Sequence, residues 1–251
     1  MRTLRLQRRR PRGDEGVTLA ELLVSIGLMA VLGTLLVTLS VAVQRTSRSA
    51  DLSAQQVADV RAAYERVASV MRVAVVLNDG DTTPFLTASG NDAVFFANLR
   101  TVNLSAANAS TSVSGPTKVE YVAVPGATGT ACKATEQCLV ERLTSTSWSS
   151  GAGGTYAWRA SGTTTSRVLL HGLSPSATLF SFNGSASSAT AAPLPVGSTG
   201  LAPADLSKVR AVSITITPAD AYGVSLPTAT ASGRVTLVGT SHAATVPGDL
   251  S

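Results

Sequence analysis

Gly16-Val17-Thr18-Leu19-Ala20-Glu21-Leu22-Leu23-Val24 opens a run that carries no charged side chain from residue 22 to residue 43. A helix needs about 20 apolar residues to cross a hydrocarbon core. The apolar region of a secretory signal is shorter, roughly 7–15 residues. Glu21 is an acid at the mouth of this run, where burial is costly enough to suggest a purpose. Upstream, Arg2, Arg5, Arg8, Arg9, Arg10 and Arg12 face only Asp14 and Glu15, so residues 1–16 carry +4 of the chain's net +5. Only Arg45 and Arg48 follow closely on the other side. The positive-inside rule places residues 1–16 in the cytoplasm and the chain beyond about residue 45 outside it. The rest of the chain is close to neutral, so its basicity sets membrane orientation and does not point to nucleic acid.

Working outward, the helix is expected to continue past the membrane surface. Val57, Val60, Tyr64, Val67, Met71 and Ala74 recur at steps of three and four, which keeps them on one helical face. Arg61, Glu65, Arg66 and Arg72 fall elsewhere on the wheel. No proline occurs from residue 17 to residue 77, and Asn78-Asp79-Gly80-Asp81 followed by Pro84 supplies a stop. A helix over that range would run about 90 Å.

Beyond residue 80 the pattern becomes short β-type runs separated by Gly, Ser, Thr, Asn and Pro. Strands are predicted at 93–99, 118–124, 138–143, 167–170, 179–182, 209–217 and 234–238, several of them alternating apolar and polar residues. The Ser/Thr/Gly/Ala/Pro-rich stretches 145–165 and 183–203 read as surface loops. The expected fold class is α+β: a long N-terminal helix, transmembrane in its first half and amphipathic in its second, packed on an antiparallel sheet. The expected divisions are a leader (1–16), a membrane or bundle helix (17–43), its amphipathic continuation (44–78) and a β-rich head (79–251). With aromatic residues at 4%, the head's core is expected to rest mainly on Val, Leu, Ile and Ala.

Cys132 and Cys138 are the only cysteines. If the head is exported, an oxidising compartment favours a disulfide between them. Closing so short a loop should contribute about 2 kcal/mol at most. With His171 and His242 the only histidines, the thiols make a poor zinc site, and neither metal nor cofactor is expected. Gly151-Ala152-Gly153-Gly154 lacks the Lys-Ser/Thr of a phosphate loop. No Ser, His and acid form a recognisable hydrolase motif, and a non-enzymatic chain is expected. Asn78, Asp79 and Asp81 could touch a cation, but turn chemistry explains them better. Asn103, Asn108 and Asn183 head formal glycosylation sequons that read as loop residues.

The junction and apolar helix resemble the class III signal sequence of type IV pilins and type II secretion pseudopilins. The matching positions are Gly16, Val17 and Glu21. The resemblance implies cleavage by a prepilin peptidase between Gly16 and Val17, then N-methylation of Val17. The first mature residue of that family is usually Phe, so Val17 departs from the pattern, as does Asp14-Glu15 before the glycine. More faintly, the head is similar to the J- and W-type minor pilins and pseudopilins. The echoes are Asp92-Ala93-Val94-Phe95-Phe96, Val119-Glu120-Tyr121, Leu139-Val140-Glu141-Arg142-Leu143, Val168-Leu169-Leu170-His171-Gly172-Leu173 leading into Phe180-Ser181-Phe182, and Val209-Arg210-Ala211-Val212-Ser213-Ile214.

What the resemblance implies is a minor subunit of a type IV pilus or type II secretion pseudopilus. It would sit in the membrane in a single pass, with its N-terminus cytoplasmic and its head extracytoplasmic, before joining a surface filament. Its partners would be the prepilin peptidase and other pilin or pseudopilin subunits. After cleavage, Glu21 lies one helical turn from the new α-amino group, and in that family the glutamate is thought to meet the amino group of a neighbouring subunit. Two other readings stay open. Glu21 is favoured by the helix dipole wherever an acid occupies a first turn. The chain could also be an uncleaved membrane-anchored surface protein with a β-rich binding head.

Overall fold

In the computed structural model the described residues are 18–78, 81–106, 109–126, 132, 137–150, 156–175, 177–186, 192–219 and 230–237, with side chains described outside 100–114, 148–157 and 161. The chain divides into two compact units, Met1–Ala50 and Asp51–Ser251. Helix α1, Leu19–Arg72, supplies residues to both. The architecture is α+β: a long apolar N-terminal helix and antiparallel β-sheet.

In the first unit Leu22, Leu23, Ile26, Leu32, Leu36 and Val43 are all exposed. The hydroxyls that punctuate the apolar run are satisfied within the helix. Ser25 Oγ donates to Glu21 O at 2.8 Å, Thr34 Oγ1 to Val31 O at 2.8 Å, and Thr38 Oγ1 to Leu35 O at 2.9 Å. Such back-bonds let Ser and Thr enter an apolar environment without an orphaned donor.

In the second unit, Val60, Ala63, Val67, Ala68, Val70 and Met71 form the buried face of α1. The expected stripe is therefore right in its centre but shifted at its start, since Val57 is 48% exposed. The helix also ends earlier than the Asn78 stop predicts. It closes at Arg72 with two tight bonds, Val73 N to Val70 O and Ala74 N to Met71 O, both 3.2 Å. The chain then turns extended: Ala74 bridges Ala97, and Val75 N donates to Phe96 O at 2.8 Å. Val73, Val75 and Val76 are β-branched, and pairing with an open sheet edge outweighs a weak helical preference. The amphipathic helix thus covers part of 44–78 and stops six residues short of its end.

Strands β1 (Phe85–Ala88), β2 (Asp92–Ala106), β3 (Ala109–Pro125), β4 (Gln137–Ser150) and β5 (Tyr156–Leu173) form an antiparallel meander in chain order. Strands β6 (Phe180–Asn183), β7 (Ala211–Ile216) and β8 (Ala231–Thr236) form a second antiparallel sheet, with helix α2 (Pro203–Leu206) between β6 and β7. All seven expected strands exist; β1 was not expected, and the head holds two sheets where one was expected. Residues 145–165 are not simply a loop. Their outer parts extend β4 and β5, pairing from Thr146↔Ala160 to Ser150↔Tyr156. Thr163, Thr164 and Thr165 are β-branched and suit an exposed strand, which composition alone disguises as loop. Residues 192–202, by contrast, hold no strand.

One core gathers α1 and both sheets. Ala93, Phe95 and Ala97 of β2, Val119 and Tyr121 of β3 and Leu139 of β4 alternate inward and meet Val60, Val67 and Met71. Phe180, Phe182, Val212, Ile214 and Val235 join from the second sheet. The aromatic share misleads here: all five phenylalanines are buried. Ring centroids of Phe85 and Phe95 lie 5.5 Å apart, Phe85 and Phe182 5.7 Å, and Phe95 and Tyr121 6.0 Å, a continuous stack from one sheet to the other. The helix approaches β8 so closely that a Cβ at Gly233 would collide with the hydroxyl and ring of Tyr64. Gly233→Ala is expected to cost about 1–3 kcal/mol by overpacking, read by urea denaturation, and Tyr64→Ala in the same chain should recover part of that loss.

Candidate functional site

The sequence-predicted site residues Gly16, Val17 and Glu21 fall at the junction between the charged N-terminal stretch and the apolar helix. Gly16 and Val17 lie outside the described residues, but Thr18 and Glu21 do not. Thr18 sits directly before the first helical residue. Its backbone N–H donates to Glu21 Oε2 at 3.0 Å, its hydroxyl donates to the same oxygen at 3.1 Å, and Glu21 N–H donates to Thr18 Oγ1 at 3.3 Å. This is a capping box, in which two otherwise orphaned donors of the first turn are satisfied reciprocally. The signal was readable in the sequence as Thr-x-x-Glu before an apolar run and was missed, because Glu21 was weighed only as a charge. Both bonds to the carboxylate use Oε2; Oε1 has no partner among the described residues.

Cys132 and Cys138 are bonded to each other. They lie on the face of the sheet away from α1, with Val140 and, at the margin, Val122, Val124 and Val168. His171 Nδ1 lies 3.5 Å from Cys138 Sγ. Of the residues weighed for cations, Asn78 is engaged elsewhere. Its amide donates to Trp158 O at 3.4 Å and accepts from Trp158 N at 2.9 Å, joining the segment after α1 to β5. Asp81 accepts from Asn78 N at 3.1 Å, a turn contact, and Asp79 lies outside the described residues. Asn183 heads a sequon but is a buried β6 residue whose amide donates to Ser181 O and Ser213 Oγ, so it is not open to a glycan. Asn108, His242 and Gly151 to Gly154 lie outside the described residues.

The strongest electrostatic feature is one the sequence reading passed over. Glu141, on β4, is 0% exposed. Its register partners are Tyr121 on β3 and Arg167 on β5. The Tyr121 hydroxyl donates to Oε1 at 2.8 Å, Arg167 Nε to Oε2 at 2.5 Å, and Arg66 Nε reaches down from α1 to Oε1 at 2.9 Å. Burial opposes ionisation of Glu141, but hydrogen bonds from Arg66, Tyr121 and Arg167 overcome it and hold the carboxyl below its ordinary value. Burial, and then the Glu141 charge, push the Tyr121 phenol up. Burial works against the Arg66 cation, yet the Glu141 hydrogen bond and charge prevail and raise it. The cluster fastens helix to sheet. Reading Arg66 as merely off the apolar face missed this, because a buried acid inside Leu-Val-Glu-Arg-Leu looks like an ordinary outward strand residue. On the opposite face Arg142 pairs with Glu120 at 2.5 Å.

Comparison with protein-family models, curated proteins and solved structures finds no match to this chain.

Proposed function

We propose that the chain is the precursor of a minor pilin-like structural subunit, cut between Gly16 and Val17 by a prepilin peptidase and assembled through its apolar helix into a type IV pilus or type II secretion pseudopilus. The observation that supports this reading is the start of α1 at Leu19, three residues past Gly16, opening an apolar run that is exposed at every position from residue 22 to residue 43. The helix is long and apolar enough to cross a membrane. An exposed apolar surface of this kind needs lipid or neighbouring helices. The capping box is compatible with a second role for Glu21, since Oε1 stays open to an ammonium group while Oε2 caps the helix. An unpaired charge would resist burial between packed helices, and a pair of opposite charges tolerates it.

The same box favours one other reading. It gives Glu21 a purpose without any cleavage, as in an uncleaved membrane-anchored surface protein. Mass spectrometry of the N-terminus of the chain purified from its own host separates the two. The expected species begins at N-methylated Val17, and Gly16→Ala should leave the full leader in place. An intact leader in the unaltered chain, or a cut near Ala50, overturns the pilin-like reading.

A further inference from the structure

The segment after α1, the turn before β1 and the stretch between α2 and β7 come together around an open cleft of about 240 Å³. Its apolar wall is formed by Ala74, Val209 and Leu237, of which Ala74 and Val209 are buried. Its polar side carries Thr82 and Arg210, both exposed to solvent. Thr83 holds the rim in shape. Its hydroxyl donates to Leu206 O at 3.0 Å and accepts from Phe85 N at 3.1 Å, which ties the turn before β1 to α2. The cleft takes no part in the exposed apolar run or its capping box.

Arg210 is fixed in place with most of its donors unused. Its backbone is pinned on both sides: its N–H donates to Asn183 O at 2.8 Å, and its carbonyl accepts from Leu237 N at 3.0 Å. Nη1 donates to Ser207 O at 2.9 Å and to Val209 O at 3.3 Å, the carbonyls that follow α2. Nε and Nη2, which share one edge of the guanidinium plane, have no acceptor among the described residues. The Thr82 hydroxyl likewise makes no hydrogen bond among them. Lys208, the nearest cation in the chain, is engaged by Asp205 at 2.8 Å. Among the described residues, a single anchored positive charge therefore faces the cleft.

The open edge of a guanidinium matches a carboxylate through two parallel N–H···O bonds. One cation balances a monoanion and would leave a phosphate dianion half compensated. The apolar wall adds a place for aliphatic carbon, and a volume below the roughly 300 Å³ at which drug-sized sites begin keeps that carbon short. Holding the guanidinium in advance lowers the ordering cost of binding. We propose that this cleft binds a carboxylate carried on a short aliphatic body, either a small free acid or the C-terminal residue of a polypeptide. Arg210 Nε and Nη2 grip the two oxygens, the Thr82 hydroxyl donates to one of them, and the aliphatic part lies on Ala74, Val209 and Leu237.

The test is a ligand-observed NMR titration of the full chain in perdeuterated detergent micelles. The probes are butanoate and the tripeptide Ala-Ala-Leu, each beside its neutral C-terminal amide. Binding is expected with a Kd on the order of 1 mM, and each amide should bind about tenfold more weakly or worse. A tripeptide that binds at least as tightly as butanoate identifies a polypeptide end as the ligand; butanoate bound with the tripeptide excluded identifies a free acid. Arg210→Gln should weaken the bound probe about tenfold, and Arg210→Lys, which keeps the charge without the fork, should recover only part of that. Thr82→Glu places a competing carboxylate at an exposed position and should abolish binding with Arg210 intact, so it decides the matter where Arg210→Gln lowers the melting temperature. Neither probe binding, amides binding as tightly as the acids, or variants at both positions binding like the parent would each overturn the proposal.

Discussion

Replacing Glu141 with alanine is expected to lower stability by about 3 kcal/mol, because it leaves Arg66 and Arg167 without the carboxylate that both address. The figure sits at the lower end of the range for broken buried pairs, since Arg66 is 36% and Arg167 54% exposed at the side chain and both can turn toward water. The Tyr121 hydroxyl cannot, being fully buried, and it too loses its acceptor. A double-mutant cycle with Arg66→Ala should show a coupling of about 0.5–3 kcal/mol, measured by urea denaturation of the full chain in detergent. The pH dependence has a definite sign. The folded carboxyl lies below its unfolded value, so this stabilisation is fully present above about pH 4.3, the ordinary glutamate value, and is lost as pH falls through the folded one. Glu141→Gln should flatten that acid limb. An acid limb unchanged by Glu141→Gln would show that the cluster does not govern it.

Phe95→Ala is expected to cost about 3–5 kcal/mol, the range for emptying an aromatic core position. Phe95 is fully buried and its ring touches Phe85 on β1 and Tyr121 on β3. It stands beside the residue that hydrogen-bonds Glu141, so the cavity should also loosen the charged cluster, and the two losses are expected to be non-additive. Val94→Ala, one residue away but facing the other side of β2, should cost much less. Equal losses at the two positions would contradict the alternation of β2 seen in the structure.

These expectations mark the limits of what sequence patterning reveals. The apolar run and the strands at 93–99, 118–124 and 209–217 were legible because each depends on a repeat within one segment: unbroken apolarity, or alternation by two. Phe85–Ala88 was not, being only four residues in a loop-like setting, and it is a strand because β2 is there to pair with it. The Ser/Thr-rich parts of β4 and β5 were misread because composition mimics a loop where antiparallel pairing makes a ladder. Thr18 and Glu21 were local and readable, and their box was overlooked. Val57 was counted in the buried stripe because periodicity does not say where a helix meets its sheet.

By itself the sequence determined the long apolar N-terminal helix and an antiparallel α+β head, since these follow from unbroken apolarity and side-chain period within single segments. Tertiary structure alone decided that α1 ends at Arg72, that Arg66 meets Glu141 across 75 residues of chain, and that His171 rests on Cys138. The physical reason is the same in each case. A helix end is set by a sheet edge waiting beside it, a buried charge by the partners that neutralise it, and a sulfur's neighbour by a bulge in the opposite strand, none of which is local to the residues concerned.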